Sequence, residues 1–219
     1  MNWFQKHLER KIPQEEKVVR NDESPPEPKD RILQNLFPTV MVPVYTELSE
    51  IQSGSVRFLM AQNGLWLEGK APWGHFRYPL WISPRPLPYG KIKPVTLLSG
   101  GPVPPELIEI CREEASEKAG QGKEWAGWIV WSQRSGYQYL PLKILEESGI
   151  SVRYRRPELP EGTYLLMDLH SHPFDLPTFS HTDDQDDLGG IHYSGLFSFD
   201  SDHQSKLTLR LCVEGFFIE

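Results

Sequence analysis

The sequence has little of what disulfide-stabilised, membrane-embedded or nucleic-acid-binding proteins need. Only two of its 219 residues are cysteine, Cys111 and Cys212, too few for a disulfide framework or a cysteine zinc cluster. Nowhere do 18 apolar residues follow one another, as a membrane helix requires, and residues 1–30 lack an apolar run of signal-peptide length. With 30 acidic and 23 basic residues, the net charge is −7, which disfavours binding to a phosphate backbone. We therefore predict a cytoplasmic protein without membrane or nucleic-acid partners.

The composition is that of a folded protein, and a length of 219 residues fits one large domain or two small ones, of which we predict two. Hydrophobic residues make up 38% and charged residues 24% of the chain, as in globular domains. Residues 1–35 are predicted to form a mobile or extended arm, because the charged, proline-rich stretch at 14–30 cannot bury enough apolar surface. Residues 36–98 predict a small β-rich N-terminal domain, and residues 99–219 a second domain of the α+β class.

Strand patterns mark the N-terminal domain. Residues 39–46 are rich in Val and Tyr, and two short apolar runs flank Asn63-Gly64, a strong hairpin signal. Its tryptophans Trp66, Trp73 and Trp81 are interpreted as core anchors, with a peptide-docking face as the alternative. Prolines between residues 84 and 88 then break the strand pattern.

The second half alternates helix and strand signals. Residues 105–119 predict a helix, with Pro104 and Pro105 at its first turn and apolar residues at helical spacing. Residues 126–131 predict a buried strand, and residues 163–169 an apolar strand that runs directly into His170. These elements predict one α+β sheet domain.

The most informative segment follows that strand. Residues 170–173 read His-Ser-His-Pro, and Ser180 and Asp183 come after a six-residue gap. Because alternate residues of a strand face the same side, His170 and His172 are expected to present their imidazoles to one point. Asp183 can return after the intervening loop as an oxygen ligand, which predicts a zinc site with three protein ligands and an open fourth position.

An open zinc site is the catalytic type, because water in the fourth position becomes a nucleophile near neutral pH. Glu124 is the predicted general base, since it precedes an apolar strand that could bring its carboxylate over the metal. The alternative is a carboxylate in a solvated loop, with Glu113, Glu114 and Glu117 as rival bases. Ser180 is predicted to stabilise the developing oxyanion, and it also suits a helix N-cap.

Other polar residues near the motif are given lesser roles. His181 and His192 are expected to line the cleft rather than bind the metal. The acidic run at residues 184–187 is interpreted as a solvated loop, with a surface for a basic partner as the alternative.

This constellation resembles the JAMM metalloproteases of the MPN domain class, whose pattern is an upstream Glu, then H-x-H-P, six residues and S-x-x-D. The similarity covers roughly residues 102–219 and implies a mixed β-sheet flanked by helices. It implies zinc ligation by His170, His172 and Asp183, with Glu124 as general base and Ser180 stabilising the tetrahedral intermediate. Trp125 departs from the small residue that often follows the upstream Glu in this family.

The resemblance also implies a substrate class. JAMM proteins hydrolyse isopeptide bonds to ubiquitin-like proteins or trim extensions from small β-grasp sulfur carriers. A β-rich, Trp-containing unit before such a domain is similar to the protein-A family of the bacterial PRTRC cassette, which implies a ubiquitin-like substrate and an activating enzyme as partners. The rival interpretation is a non-enzymatic MPN-like scaffold.

Overall fold

A computed structural model of the chain describes residues 34–202 and 204–219. The predicted arm at 1–35 lies outside these ranges except for residues 34 and 35, which belong to a helical turn at 34–36. No helix within the described ranges combines the length and apolar character needed to cross a membrane. The described chain divides into two compact units, one comprising residues 34–51, 56–68 and 77–94, the other residues 52–55, 69–76 and 95–219.

Five strands form an N-terminal sheet in sequence order: β1 (Thr39–Met41), β2 (Ser55–Ala61), β3 (Gly64–Ala71), β4 (Gly74–Ile82) and β5 (Val95–Leu98). The predicted hairpin at Asn63-Gly64 is confirmed, and Gly64 has φ +133°, a conformation that glycine readily adopts. Strand β1 ends earlier than predicted because Pro43 has no N–H to donate. Trp66 and Trp73 are buried as predicted, but Trp81 is 49% exposed and is not a core anchor.

A buried ion cluster lies within the first of the two units. Glu68 is 1% exposed and accepts hydrogen bonds from two arginines. The guanidinium of Arg57 bonds one carboxylate oxygen of Glu68 at 2.6 Å and also reaches Ser49, while that of Arg77 bonds the other. Two guanidinium groups therefore compensate one buried carboxylate.

The second unit contains a mixed six-stranded sheet, which confirms the predicted α+β class. The sheet order is β13-β12-β11-β10-β6-β7, with β10 and β11 parallel and the other pairs antiparallel. Strands β8 and β9 form a separate hairpin, and β13 was not predicted. The bounds are α1 (Pro105–Gly120), β6 (Ala126–Ser132), β7 (Gly136–Pro141), β8 (Lys143–Glu147), β9 (Val152–Arg155), β10 (Thr163–His172), α2 (His181–Asp186), β11 (Ile191–Phe199), β12 (Ser205–Val213) and β13 (Phe216–Ile218).

Helix α1 packs on the sheet as its sequence predicts. Pro105 occupies its first position, where a missing N–H costs nothing. Its buried residues are Cys111 and Ala115. At the entrance of β6, the indole N–H of Trp125 donates to the Glu114 carboxylate of α1 at 3.0 Å. Trp125 thus ties the helix to the sheet, which accounts for a large residue at this position.

Candidate metal centre

Both motif histidines lie at the end of β10, in the interior of the six-stranded sheet. Strand β10 pairs with β6 on one side and β11 on the other, and its last residues are His170 and His172. The two-residue alternation of the strand places both rings on the same face, with centroids 5.3 Å apart. The rigidity of a strand paired on both sides fixes the two rings.

Asp183 reaches the histidines from α2, the short helix that follows the loop after the motif. Its Oδ1 lies 3.4 Å from the Nε2 of His170, and its Oδ2 lies 3.8 Å from the Nε2 of His172. One donor atom from each residue falls within 4.8 Å of the others. The sheet and α2 therefore bring together the three side chains that the sequence predicted as ligands.

The donor set fits a zinc ion. The buried Nε2 of His170 has no hydrogen-bond partner among the described residues, and a buried imidazole nitrogen without a partner is costly unless something binds it. The Nδ1 of His172 lies 3.1 Å from the carbonyl oxygen of Leu176. Because a carbonyl only accepts, Nδ1 carries the proton in this bond and Nε2 keeps its lone pair for a metal. Two imidazoles and one carboxylate are common zinc ligands.

A capping box orients the Asp183 carboxylate. The backbone N–H of Ser180 donates to Oδ2 of Asp183 at 2.5 Å, and the Oγ of Ser180 accepts from the N–H of Asp183 at 3.2 Å. Ser180 is thus the N-cap of α2, the second role that its sequence position suggested. Its exposed hydroxyl also lines the cleft beside the histidines.

Glu124 enters the same cleft from the segment that leads into β6, the strand next to β10. The register pairs Ala126 with His170, and the N–H of Ser171 donates to the carbonyl of Trp125, so Glu124 comes level with the end of β10. It is 7% exposed. Burial raises its pKa to about 7, with His170 opposing the rise and Asp183 adding to it. A carboxyl group that titrates near neutral pH can both accept and return a proton.

The charges around the candidate ligands shift their pKa values in different directions. Burial favours the uncharged form of His170, but the carboxylates of Asp183, Asp168 and Glu124 outweigh it and raise the pKa. For Asp183, burial is outweighed by His170 and by hydrogen bonds with Ser180, which lower the pKa well below its usual range. Asp183 is therefore ionised, as metal ligation requires.

These side chains line a cavity of about 330 Å³. Its far wall is the connection between β8 and β9, including Gly149 and Ile150, and Ile150 is 88% exposed. Asp168 also faces the cavity, two residues before His170 on the same strand face, and accepts a 2.9 Å hydrogen bond from the Tyr154 hydroxyl. The sequence analysis missed Asp168, although the alternation that selected the histidines also applies to it.

The acidic run after Asp183 is only in part the solvated segment that the sequence predicted, because Asp186 is exposed but Asp184 is half-buried and Asp187 is buried. Asp187 is 5% exposed and accepts hydrogen bonds from Arg210 and His192, while Asp184 accepts from Arg210. These contacts lower the pKa of Asp187 to about 2 despite its burial. His192 was predicted to line the cleft, but it is buried and paired with Asp187. His181 is exposed at the start of α2.

Asp187, His192 and Cys212 also lie close enough together for metal binding. The Asp187 carboxylate is already compensated by Arg210, whose Nη2 lies 2.8 Å from it. Burial raises the pKa of the Cys212 thiol to about 12, which disfavours the thiolate that a metal needs. This second group is therefore a structural network.

Comparison with known families identifies both parts of the chain. Residues 27–99 match the domain of unknown function DUF2016, and residues 107–206 match the prokaryotic homologs of the JAB domain. No curated protein matched the chain. The JAB domain fits a hydrolase superfamily whose members often bind zinc. In this chain a segment that matches DUF2016 therefore precedes one that matches the prokaryotic homologs of the JAB domain, an arrangement consistent with a JAMM-like protein.

Proposed function

We propose that this chain is a zinc-dependent metallopeptidase that hydrolyses a peptide or isopeptide bond after the C-terminal tail of a ubiquitin-like protein. The observation that carries the proposal is the buried Nε2 of His170, which has no hydrogen-bond partner among the described residues and faces the Asp183 carboxylate at 3.4 Å. At this distance Asp183 is an ion-pair neighbour of the ring but makes no hydrogen bond to it. A zinc ion between the two atoms would supply the close contact that Nε2 lacks.

The three candidate ligands are His170, His172 and Asp183. Zinc held by them would activate a water molecule and polarise the carbonyl of the scissile bond. Their donor atoms face the cavity that Glu124 and Ser180 also line, so a substrate entering the cavity would meet all of these groups.

Glu124 is proposed to move the proton. Its carboxylate accepts a proton from the attacking water and then donates it to the departing nitrogen. Both transfers need a group whose pKa lies near the working pH, and burial raises the pKa of Glu124 to about 7. The backbone of Glu124 is fixed by a 2.8 Å hydrogen bond from its N–H to the carbonyl of Ser148.

Ser180 is proposed to stabilise the carbonyl oxygen as negative charge develops on it. In the capping box its Oγ accepts from the N–H of Asp183, a bond that does not use the hydroxyl hydrogen. That hydrogen can point into the cavity and donate to the oxyanion.

The substrate is proposed to approach along the connection between β8 and β9. Ile150 and Phe174 are exposed apolar side chains at the rim of the cavity, suited to the aliphatic side chains of an extended tail. A tail that adds as a strand is read through its backbone and needs small residues beside the scissile bond. An activating enzyme encoded in the same cassette is the proposed source of the conjugate.

The first experiment measures the metal content of the full chain and of its His172→Ala variant after purification without chelator. We expect about one zinc per wild-type chain and loss of zinc in the variant. The metal site would be refuted if the wild-type chain contained no zinc, or if the His172→Ala variant kept its zinc.

The second experiment tests catalysis with a panel of ubiquitin-like proteins that have C-terminal peptide extensions or isopeptide-linked lysines. Glu124→Gln should retain zinc and lose turnover, while Glu117→Gln on the exposed face of α1 should cleave normally. A Glu124→Gln variant with wild-type biological function would instead favour the scaffold interpretation.

A further inference from the structure

Arg210 of β12 is a charged residue buried against α2, the helix that carries Asp183. It lies opposite Ser194 of β11 and is 4% exposed. Its guanidinium carbon lies 3.9 Å from the centroid of the Phe179 ring and 4.2 Å from that of Phe217. A planar cation stacks favourably on aromatic faces, so the two rings hold the guanidinium in one plane.

Arg210 also bridges two carboxylates of α2, that of Asp184 in the first turn and that of Asp187 at the C-cap. Its Nε and Nη2 donate to Oδ2 of Asp187 at 3.2 and 2.8 Å, and its Nη1 donates to Oδ1 of Asp184 at 2.5 Å. Asp184 and Asp187 are three residues apart and so share one face of the helical turn. Charge-assisted hydrogen bonds from the rigid guanidinium fix the direction of the two carboxylates as well as their distance from it.

The helix held in this way carries Asp183. Helix α2 has six residues, too few to be stable without tertiary contacts. The capping box of Ser180 fixes its N-terminus, and Arg210 links its first turn to its C-cap. Phe179, which stacks on Arg210, also contacts the ring of His170 at a centroid distance of 6.0 Å. Arg210 therefore contacts both α2, which carries Asp183, and Phe179, which packs on His170.

We propose that Arg210 is a positioning residue of the metal centre, which sets the Asp183 carboxylate at ligand distance from the two histidines. The inference rests on the proposed zinc site, and Arg210 itself contacts neither metal nor substrate. It requires the planar fork of arginine, since lysine would keep the charge but lose both the stacking and the bridge between the two carboxylates.

The test compares Arg210→Lys with wild type in the full chain. Zinc affinity is measured by competition with a chromophoric chelator, and the stability of the metal-free protein by urea unfolding. Residues that orient metal ligands typically affect metal affinity by about 10- to 100-fold, so we expect a loss of that size for Arg210→Lys. Arg57→Lys is the matched control, because Arg57 is also buried and bonded to a carboxylate but lies in the other unit. It should lower stability and leave zinc affinity unchanged.

A second pair of variants covers the case in which Arg210→Lys does not fold. Asp184→Asn removes one carboxylate that Arg210 bridges, at a side chain 40% exposed, whereas Asp186→Asn makes the same charge change at an exposed position of the same helix. We expect weaker zinc binding for Asp184→Asn than for Asp186→Asn. Equal affinities in this pair would overturn the inference.

The outcomes separate this inference from the proposed function. If the wild-type protein binds zinc and the Arg210→Lys variant binds it equally well, only the positioning role is overturned. Wild-type protein that binds no zinc would remove the proposed function and the inference together. Zinc loss in Arg57→Lys equal to that in Arg210→Lys would show a general effect of stability and would also overturn the positioning role.

Discussion

Replacing Glu124 with glutamine should stabilise the metal-free protein at pH 8 and leave its stability unchanged near pH 4.5. The carboxyl of Glu124 is 7% exposed, and burial raises its pKa from 4.5 to about 7. The folded state therefore holds this proton more tightly than the unfolded state. The stability contributed by the protonated form is fully present below pH 4.5 and is lost as the pH rises to about 7. Glutamine is neutral throughout and escapes this loss.

The size of the effect follows from the two pKa values. One pH unit of difference corresponds to about 1.4 kcal/mol, so the ionised carboxylate costs on the order of 3 kcal/mol above pH 7. Glu124 lines an open cavity, so solvent screening makes this figure an upper bound. The expected gain for Glu124→Gln thus rises from roughly zero at pH 4.5 to at most about 3 kcal/mol at pH 8.

Urea unfolding of chelator-treated protein at the two pH values measures this gain, with tryptophan fluorescence as the signal. Glu117→Gln provides the control, since Glu117 is exposed on α1 and its replacement should give no comparable gain at pH 8. A Glu124→Gln gain that is equal at both pH values, or a loss at pH 8, would refute the reasoning. If the gain is found, the carboxylate proposed to move protons is held in place at a cost to stability.

Three further predictions concern the fold and the metal. Glu68→Ala should lower the free energy of unfolding by about 3–5 kcal/mol in urea titrations, because Arg57 and Arg77 would lose their shared carboxylate; a loss below 1 kcal/mol would contradict this. Gly127→Ala should cost about 1–3 kcal/mol in thermal unfolding, since the added carbon would lie 2.5 Å from the Trp125 ring, and an unchanged melting temperature would argue against the packing. A chelator should abolish peptidase activity reversibly without changing the far-ultraviolet circular dichroism, because backbone ladders hold the ligand strand; a collapse of the spectrum would contradict this.

The local part of the site was predictable from sequence. The alternation of a strand places His170 and His172 on one face, and the same spacing extends to Asp168. A serine three residues before an acidic residue signals a helix start, so the start of α2 at Ser180 and Asp183 could also be predicted. The α+β class of the second domain followed from helix and strand periodicities.

The remainder depends on pairing between distant segments. Glu124 reaches the histidines only through the register of β6 with β10, which a single sequence does not specify. Arg210 is separated by 23 residues from Asp187 and follows no local pattern that marks it as a partner of the acidic run. Trp81 shows the same limit, since aromatic content alone does not say which end of a strand stays uncovered.

The capping box of α2 constrains how this protein can evolve. Asp183 uses one carboxylate oxygen to accept the Ser180 N–H and presents the other to His170. A change of Asp183 to histidine would offer a nitrogen donor but remove the acceptor that begins the helix, and a change of Ser180 would remove the reciprocal bond. A change of Asp183 thus disturbs both the ligand set and the helix start, whereas a change of Ser180 keeps the backbone N–H that orients Asp183. A three-histidine version of this centre would therefore require a different turn after the loop.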